Sequence, residues 1–181
     1  MREYSKIGNL KNIIYEELND LANCKYALFD LPYHTNIGDG LIWEGERCFL
    51  NDIGAKCLHN SSNFTCDFPI LPKDTVILIH GGGNLGDLYR EHFNFHKRVL
   101  SHYQQNRVVF FPQTIFYQDQ NVLKEDMEFL KRHGNVTLCA RDKKSYDTVV
   151  PFISGGGQNY CPIWHSVFLL NIWIFLWVIK L

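Results

Sequence analysis

Two short segments of the chain combine glycine with acid, amide and imidazole side chains, the residue types that bind and deprotonate polar substrates. The first contains His34, Asn36 and Asp39 around Gly38. The second runs His80-Gly81-Gly82-Gly83-Asn84-Leu85-Gly86-Asp87. Because glycine has no side chain, its backbone approaches a ligand closely and can direct successive N–H groups at an anion. The second segment therefore predicts a ligand-binding loop, and the first has the same design in weaker form.

Each of these side chains has a chemical assignment and a structural alternative. We expect Asp39, Asp87 and His34 to be catalytic, because a carboxylate can take a hydroxyl proton and an imidazole can relay one. The residues expected to bind substrate offer N–H groups, amides or a cation; they are Asn36, Gly38, His80, Gly81, Gly82, Gly83, Asn84, Gln113 and Arg141. The alternative for the Asn and Asp residues is helix capping. The alternative for the two histidines is a satisfied position at a strand end.

Arg141 is the cation that the pattern places at the same edge as the two glycine segments. A guanidinium there suits a phosphate or a carboxylate, since both accept its paired N–H groups. Its structural alternative is a surface ion pair with Asp142 or Asp147. Gln113 follows Pro112 as a polar group at a strand end, without an assigned role.

The glycines also satisfy a dinucleotide-binding pattern. Gly81, Gly83 and Gly86 match G-x-G-x-x-G, which indicates such a site when it follows a strand and opens a helix. That interpretation requires an acidic residue about 20 positions later to hold a ribose hydroxyl. This chain has Phe110-Phe111-Pro112-Gln113 in that region. Nucleotide-dependent redox chemistry is therefore a third hypothesis, and we expect no response to NAD or flavin.

Composition argues against several other classes of protein. The 181 residues carry a formal net charge of −1, which gives no basic field for a polyphosphate backbone, so we expect no nucleic-acid partner. The six cysteines lack the short spacing of a zinc knuckle, and we expect no metal site. His92 and His96 have metal-ligand spacing on a predicted helix but no third ligand, so we expect them at the surface. Scattered cysteines without a leading signal peptide suit the cytoplasm.

An alternation of apolar strands and amphipathic helices positions the candidate residues. Predicted strands cover about 26–32, 75–80, 107–111 and 136–140, and predicted helices cover about 41–52, 88–104, 121–133 and a short segment that Asp142 caps. Near-continuous apolar strands alternating with helices predict an α/β fold, a Rossmann-like parallel sheet with helices on both faces. Ligands of such sheets bind beyond the carboxyl ends of the strands. The candidate residues are therefore expected at one edge.

The chain divides into three predicted parts. Residues 1–25 form an amphipathic helix, residues 26–150 form the Rossmann-like domain, and residues 151–181 form a glycine-rich linker and an apolar tail. The tail is apolar from Val167 to Ile179 except for Asn171. A membrane span needs about 20 apolar residues, so the alternatives are a buried strand, an interfacial anchor or the end of a truncated or frame-shifted gene product. We favour a truncated or degenerate tail.

Four motifs in order resemble the polysaccharide pyruvyl transferase family, and in particular its members in bacterial exopolysaccharide biosynthesis. The motifs are Pro32–Asp39, His80–Tyr89, Phe111–Ile115 and Ala140–Tyr146. The resemblance covers about Tyr26 to Val149 and corresponds to the N-terminal half of such a protein. It implies one half of a glycosyltransferase-B-like fold, with the active cleft between two Rossmann-like halves.

The resemblance also implies a chemistry. Such an enzyme transfers pyruvate from phosphoenolpyruvate to two hydroxyls of one sugar as a cyclic ketal and releases phosphate, with no metal or redox cofactor. The implied acceptor is a free or lipid-linked saccharide, met in the cytoplasm or peripherally at the inner face of the cell membrane. Groups associated with phosphoenolpyruvate lie largely in the family's second half. Two hypotheses follow: a transferase completed by homo-oligomerisation or by another polypeptide, and a non-catalytic sugar- or phosphate-binding fragment.

Overall fold

The structure, a computed structural model, describes residue 12 and residues 14–153, 165–169 and 172–180. The strands are β1 (Lys25–Phe29), β2 (Lys56–Ser61), β3 (Val76–Ile79), β4 (Gly82–Gly86), β5 (Val108–Phe116), β6 (Val136–Ala140), β7 (His165–Leu169) and β8 (Ile172–Lys180). The helices are α1 (Ile37–Asp52), α2 (Arg90–His102), α3 (Gln120–His133) and α4 (Lys143–Ile153), with a 3₁₀ turn at Asn19–Leu21.

Six of the described strands run parallel in one sheet. Their order is β2-β1-β3-β5-β6, and β4 pairs with the second part of β5. Strand β8 pairs antiparallel with β6, and β7 pairs antiparallel with β8. A parallel sheet flanked by helices confirms the predicted α/β class.

Helices cover both faces of the sheet because successive strand residues point to opposite sides. On one side, Ala27 and Phe29 of β1 belong to a buried cluster with residues of α2, α3 and α4. On the other side, Tyr26 and Leu28 pack in a cluster that includes Leu50 of α1. Both faces of the central strands are thus removed from water, as their apolar sequences predict.

The predicted N-terminal helix is described only in its second part, since residues 1–11 lie outside the described residues. In that part, Ile14, Leu18 and Leu21 are buried and belong to the same cluster as α1. The backbone N–H of Leu18 donates to the carbonyl of Ile14 over 2.9 Å. The glycine-rich linker, at 154–164, also lies outside the described residues.

Two segments predicted as loops are strands instead. The glycine segment forms β4, and Pro112, Gln113 and Thr114 continue β5. Glycine disfavours strands on its own, so neighbouring contacts decide this conformation. A Cβ on Gly86 would stand 1.8 Å from the carbonyl oxygen of Phe116, and one on Gly81 would stand 2.9 Å from that of Pro112. These glycines allow close pairing with β5, a requirement that the sequence pattern alone does not separate from ligand binding.

The helix ends follow the predicted signals. Gly134 closes α3 with a left-handed φ of +75°, and the Asp142 carboxylate accepts from the backbone N–H of Ser145 over 2.8 Å at the start of α4. Within the described ranges, no helix is long and apolar enough to cross a lipid bilayer. Whether the tail is degenerate stays a prediction.

Candidate functional site

The loop between β1 and α1 fixes the Asp39 carboxylate. Asn36 caps α1, because its side-chain oxygen accepts from the backbone N–H of Gly38 over 2.9 Å. Its side-chain amide donates to Asp39 Oδ2 over 2.8 Å. His34 accepts from the backbone N–H of Asn36 through Nδ1 and points Nε2 at Asp39 Oδ2 over 3.4 Å. The structural alternative for Asn36 is thus correct, and the same capping residue also orients Asp39.

The glycine strand β4 lies beside this loop. A Cβ on Gly82 would stand 3.6 Å from Asp39 Oδ1, and Gly82 has a φ of +132° that side chains other than glycine rarely adopt. Gly83 is exposed, with open space where a Cβ would be. The two segments that the sequence singled out therefore meet at one edge of the sheet.

A buried ion pair lies below β4. The Nδ1 of His80 and the Oε2 of Glu46 are 2.7 Å apart, and the backbone N–H of Gly81 donates to Glu46 Oε1 over 2.8 Å. Burial alone would lower the pKa of His80, but the charge and hydrogen bond of Glu46 outweigh it and raise that pKa. The Gly81 N–H is therefore already used within the protein, contrary to the expectation that it binds substrate directly.

Sequence reasoning missed Glu46. The signal was a carboxylate in the apolar stripe of α1, since Ile42 and Phe49 share its buried face. A charge on such a face is almost always paired.

Gln113 is buried beside His80. Its side-chain amide donates to the His80 carbonyl over 2.6 Å, so it ties β5 to the chain between β3 and β4. Gln113 Oε1 and His80 Nε2 are both buried and have no hydrogen-bond partner among the described residues. Unsatisfied buried polar atoms are rare and are typical of functional sites.

A second buried carboxylate, Asp30, ends β1. It accepts from His96 Nε2 over 2.7 Å, from His92 Nδ1 over 3.0 Å and from the side-chain amide of Asn84 over 3.3 Å. Burial alone would raise the pKa of Asp30, but the two histidine hydrogen bonds prevail and hold it well below the ordinary value. The prediction that His92 and His96 are surface residues is wrong, because His96 is fully buried and both bind Asp30. Their four-residue spacing on one face of α2 was the available signal.

Asp87 lies in a different environment from Asp39. Its Oδ2 accepts from the backbone N–H groups of Gln118 and Asp119 over 2.7 and 2.8 Å. Asp87 therefore holds the segment that precedes α3. Among the described residues, no hydrogen bond links Asp87 to Asp39, so the structure does not bring these two predicted catalytic groups together.

Arg141 does not form the surface ion pairs that were its structural alternative. Asp142 is occupied by Ser145, and Asp147 pairs with Lys143 over 2.5 Å. The Arg141 backbone N–H donates to the Gln113 carbonyl over 3.0 Å, which fixes Arg141 next to β5. In the part of the chain that the structure describes, no carboxylate pairs with the guanidinium.

Residues 36–153 match the family model of the polysaccharide pyruvyl transferases. The chain belongs to the polysaccharide pyruvyl transferase family. It is 31% identical over 135 residues to the Bacillus subtilis protein EpsO, which carries the name of a pyruvyl transferase; the alignment covers 74% of this chain and 42% of EpsO. It is 30% identical over 135 residues to Pyruvyl transferase 1 of Schizosaccharomyces pombe, covering 70% of this chain and 34% of that protein. The chain thus spans between about a third and two fifths of these relatives' length.

The fold has a counterpart among solved structures. A functionally uncharacterised protein of Klebsiella pneumoniae aligns with a TM-score of 0.51 at 16% identity, covering 84% of this chain and 62% of that one. At this identity the likeness concerns the fold alone.

For a member of the pyruvyl transferase family, the candidate site is rich in acid–base pairs. Three carboxylates each face an imidazole: Asp39 with His34, Glu46 with His80, and Asp30 with His92 and His96. Such pairs hold and move protons near neutral pH, where free imidazole titrates. In the described ranges, no group of three His, Cys, Asp or Glu side chains has an arrangement that could hold a metal ion.

Proposed function

We propose that this chain supplies the acid–base part of an active site that transfers pyruvate from phosphoenolpyruvate to a saccharide as a ketal. The observation that carries the proposal is the meeting of Asp39, held by Asn36 and His34, with Gly82 at the carboxyl edge of the parallel sheet. This edge is where ligands of such sheets bind. Membership of the pyruvyl transferase family supports the reaction class.

The reaction needs a base, an acid and a cationic site. Asp39 takes the proton of the attacking sugar hydroxyl, because its carboxylate is fixed yet part-exposed. Arg141 binds the carboxylate or phosphate of phosphoenolpyruvate through its paired N–H groups. Gly82 and Gly83 leave room for the donor or the sugar against bare backbone. Glu46 and His80 fix the backbone from which β4 starts.

The acceptor in this proposal is a saccharide of exopolysaccharide synthesis. A lipid-linked acceptor would bring the protein to the inner face of the membrane, and a free oligosaccharide would not. Comparing the two acceptors in one assay decides between these forms.

The test is phosphate release from phosphoenolpyruvate in the presence of an oligosaccharide acceptor. We expect Asp39→Asn to lower the rate about 100-fold or more, the usual contribution of a general base. The matched control is Asp74→Asn, since Asp74 is exposed and pairs with Lys25 over 2.9 Å away from the site. Equal rates for wild type and Asp39→Asn would contradict the proposal. Binding of phosphoenolpyruvate or sugar without any phosphate release would identify a non-catalytic binding fragment instead.

A further inference from the structure

Asp30 is an unusual residue for the end of a core strand. Its backbone has a φ of +67°, a left-handed conformation that is uncommon for residues other than glycine, and it is 2% exposed. Its carboxylate accepts from three donors, one on β4 and two on α2. Backbone strain and a desolvated charge each cost stability, and such costs concentrate at functional sites.

The same helix carries a second buried carboxylate that serves as an internal comparison. Asp126 of α3 is bound by Arg90 and by Lys97 of α2, the latter over 2.5 Å, and accepts from the Tyr117 hydroxyl over 3.0 Å. Arg90 and Lys97 stay protonated at neutral pH, so this cluster is a permanent clamp between the two helices. Asp30 is held instead by two imidazoles and an amide. The cluster at the ligand edge thus uses the groups that exchange protons near pH 7.

The two histidines differ in their access to the site. The His96 side chain is 0% exposed, and its Nδ1 is buried without a partner, so a second proton on this ring would be unpaired in the interior. The His92 side chain is 23% exposed and binds Asp30 through Nδ1. Its Nε2 is on the opposite side of the ring. Proton exchange with a ligand can therefore occur through His92.

We propose that Asp30 and His92 form a catalytic dyad in which His92 Nε2 protonates the methylene carbon of phosphoenolpyruvate. Asp30 and His96 are positioning residues: Asp30 accepts the Nδ1 proton of His92 and favours its imidazolium, and His96 fixes Asp30. A buried aspartate that orients one ring nitrogen so that the other acts on substrate is a recurrent catalytic design. This inference rests on the proposed function and adds the acid that the reaction requires.

The step balances as follows. The Nε2–H bond breaks, and the electron pair of the donor's carbon–carbon double bond forms the new C–H bond, which leaves a methyl group and an electron-poor adjacent carbon. An acceptor hydroxyl oxygen bonds to that carbon as its proton passes to Asp39. Phosphate leaves with the electron pair of its C–O bond, and the second hydroxyl closes the ketal. Its proton and that on Asp39 return to phosphate, solvent and His92.

The surroundings of His92 favour the charged ring. Asp30 faces it from β1, Asn84 from β4, Asp39 from the first loop, and Glu91 lies on its own helix. The hydrogen bond to Asp30 raises the pKa of His92 and outweighs the opposing effect of burial. At neutral pH the ring is therefore better protonated than a free imidazole.

The test compares three variants by phosphate release across pH with phosphoenolpyruvate and an oligosaccharide. We expect His92→Gln to lower kcat about 100-fold with KM for phosphoenolpyruvate little changed, and to remove the basic limb of the pH profile. Asp30→Asn should move that limb to lower pH. Asn94→Gln, an exposed change on the same helix, should match wild type.

The outcomes separate this inference from the proposed function. An active wild type whose His92→Gln variant keeps its full rate and its basic limb overturns the dyad and leaves the proposed function standing. A wild type that releases no phosphate overturns both. If Asp30→Asn fails to fold, as circular dichroism would reveal, the part-exposed His92 carries the test on its own.

Discussion

At the scale of single residues, the site depends on polar groups that meet across long stretches of chain. Glu46 and His80 are 34 positions apart, and Asp30 and His96 are 66 apart. The sequence predicts Asn36 as a helix cap and Asp39 as a site residue because both signals are local. It gives no means of pairing Glu46 with His80, since a single sequence contains no record of which distant positions touch. The buried pairs were therefore missed, although their members' residue types were visible.

The Glu46 pair predicts a large stability effect. Glu46→Ala leaves the His80 ring and the Gly81 N–H buried without their partner, and removing one side of a buried ion pair costs about 3 to 5 kcal/mol. Urea unfolding followed by circular dichroism measures the free energy of unfolding. Glu44→Ala is the control on the same helix, because Glu44 makes a surface pair with Arg47 worth at most about 1 kcal/mol. Equal losses in the two variants would show that the buried pair does not support the fold.

At the scale of elements, the sequence predicts those strands and helices whose apolar pattern is strong. The interior strands β1, β3, β5 and β6 and the helices α1, α2 and α3 all lie close to their expected ranges. Strand β2, mostly exposed at the edge of the sheet, lacks an apolar run and was missed. Strand β4 was predicted as a loop because its glycines have little intrinsic preference for a strand. Its pairing with β5 creates that strand, and this contact is tertiary.

The glycines of β4 make separate predictions about structure. In Gly86→Ala the added Cβ would stand 1.8 Å from the Phe116 carbonyl oxygen, so the pairing of β4 with β5 must shift. We expect a loss of about 3 kcal/mol or more in the free energy of unfolding, the scale of severe overpacking. Gly83→Ala is the matched control in the same strand, since open space surrounds that position. Similar unfolding curves for the two variants would rule out close packing as the reason for Gly86.

At the scale of the whole molecule, one edge of the sheet gathers nearly all of the candidate chemistry. The chain reaches this edge after β1, at β4 and after β6, and each return brings polar residues. The clamp formed by Asp126, Arg90 and Lys97 lies between α2 and α3 and serves the fold. Asp87 also serves the fold, through the backbone ahead of α3. The family relationship extends over residues 36–153, so Asp30 and His34 lie just before the matched segment.

The most direct test of the account is to locate the ligand on the protein. Titration of isotope-labelled protein with phosphoenolpyruvate, followed by amide NMR, reports which backbone groups sense the bound anion. The account predicts saturable shifts at Gly82, Gly83 and Arg141, and no shift at Asn106, whose side chain binds the carbonyls of Pro72 and Thr75 far from this edge. Shifts centred on Asn106, or a saturated complex with unchanged Gly82 and Arg141 signals, would contradict it.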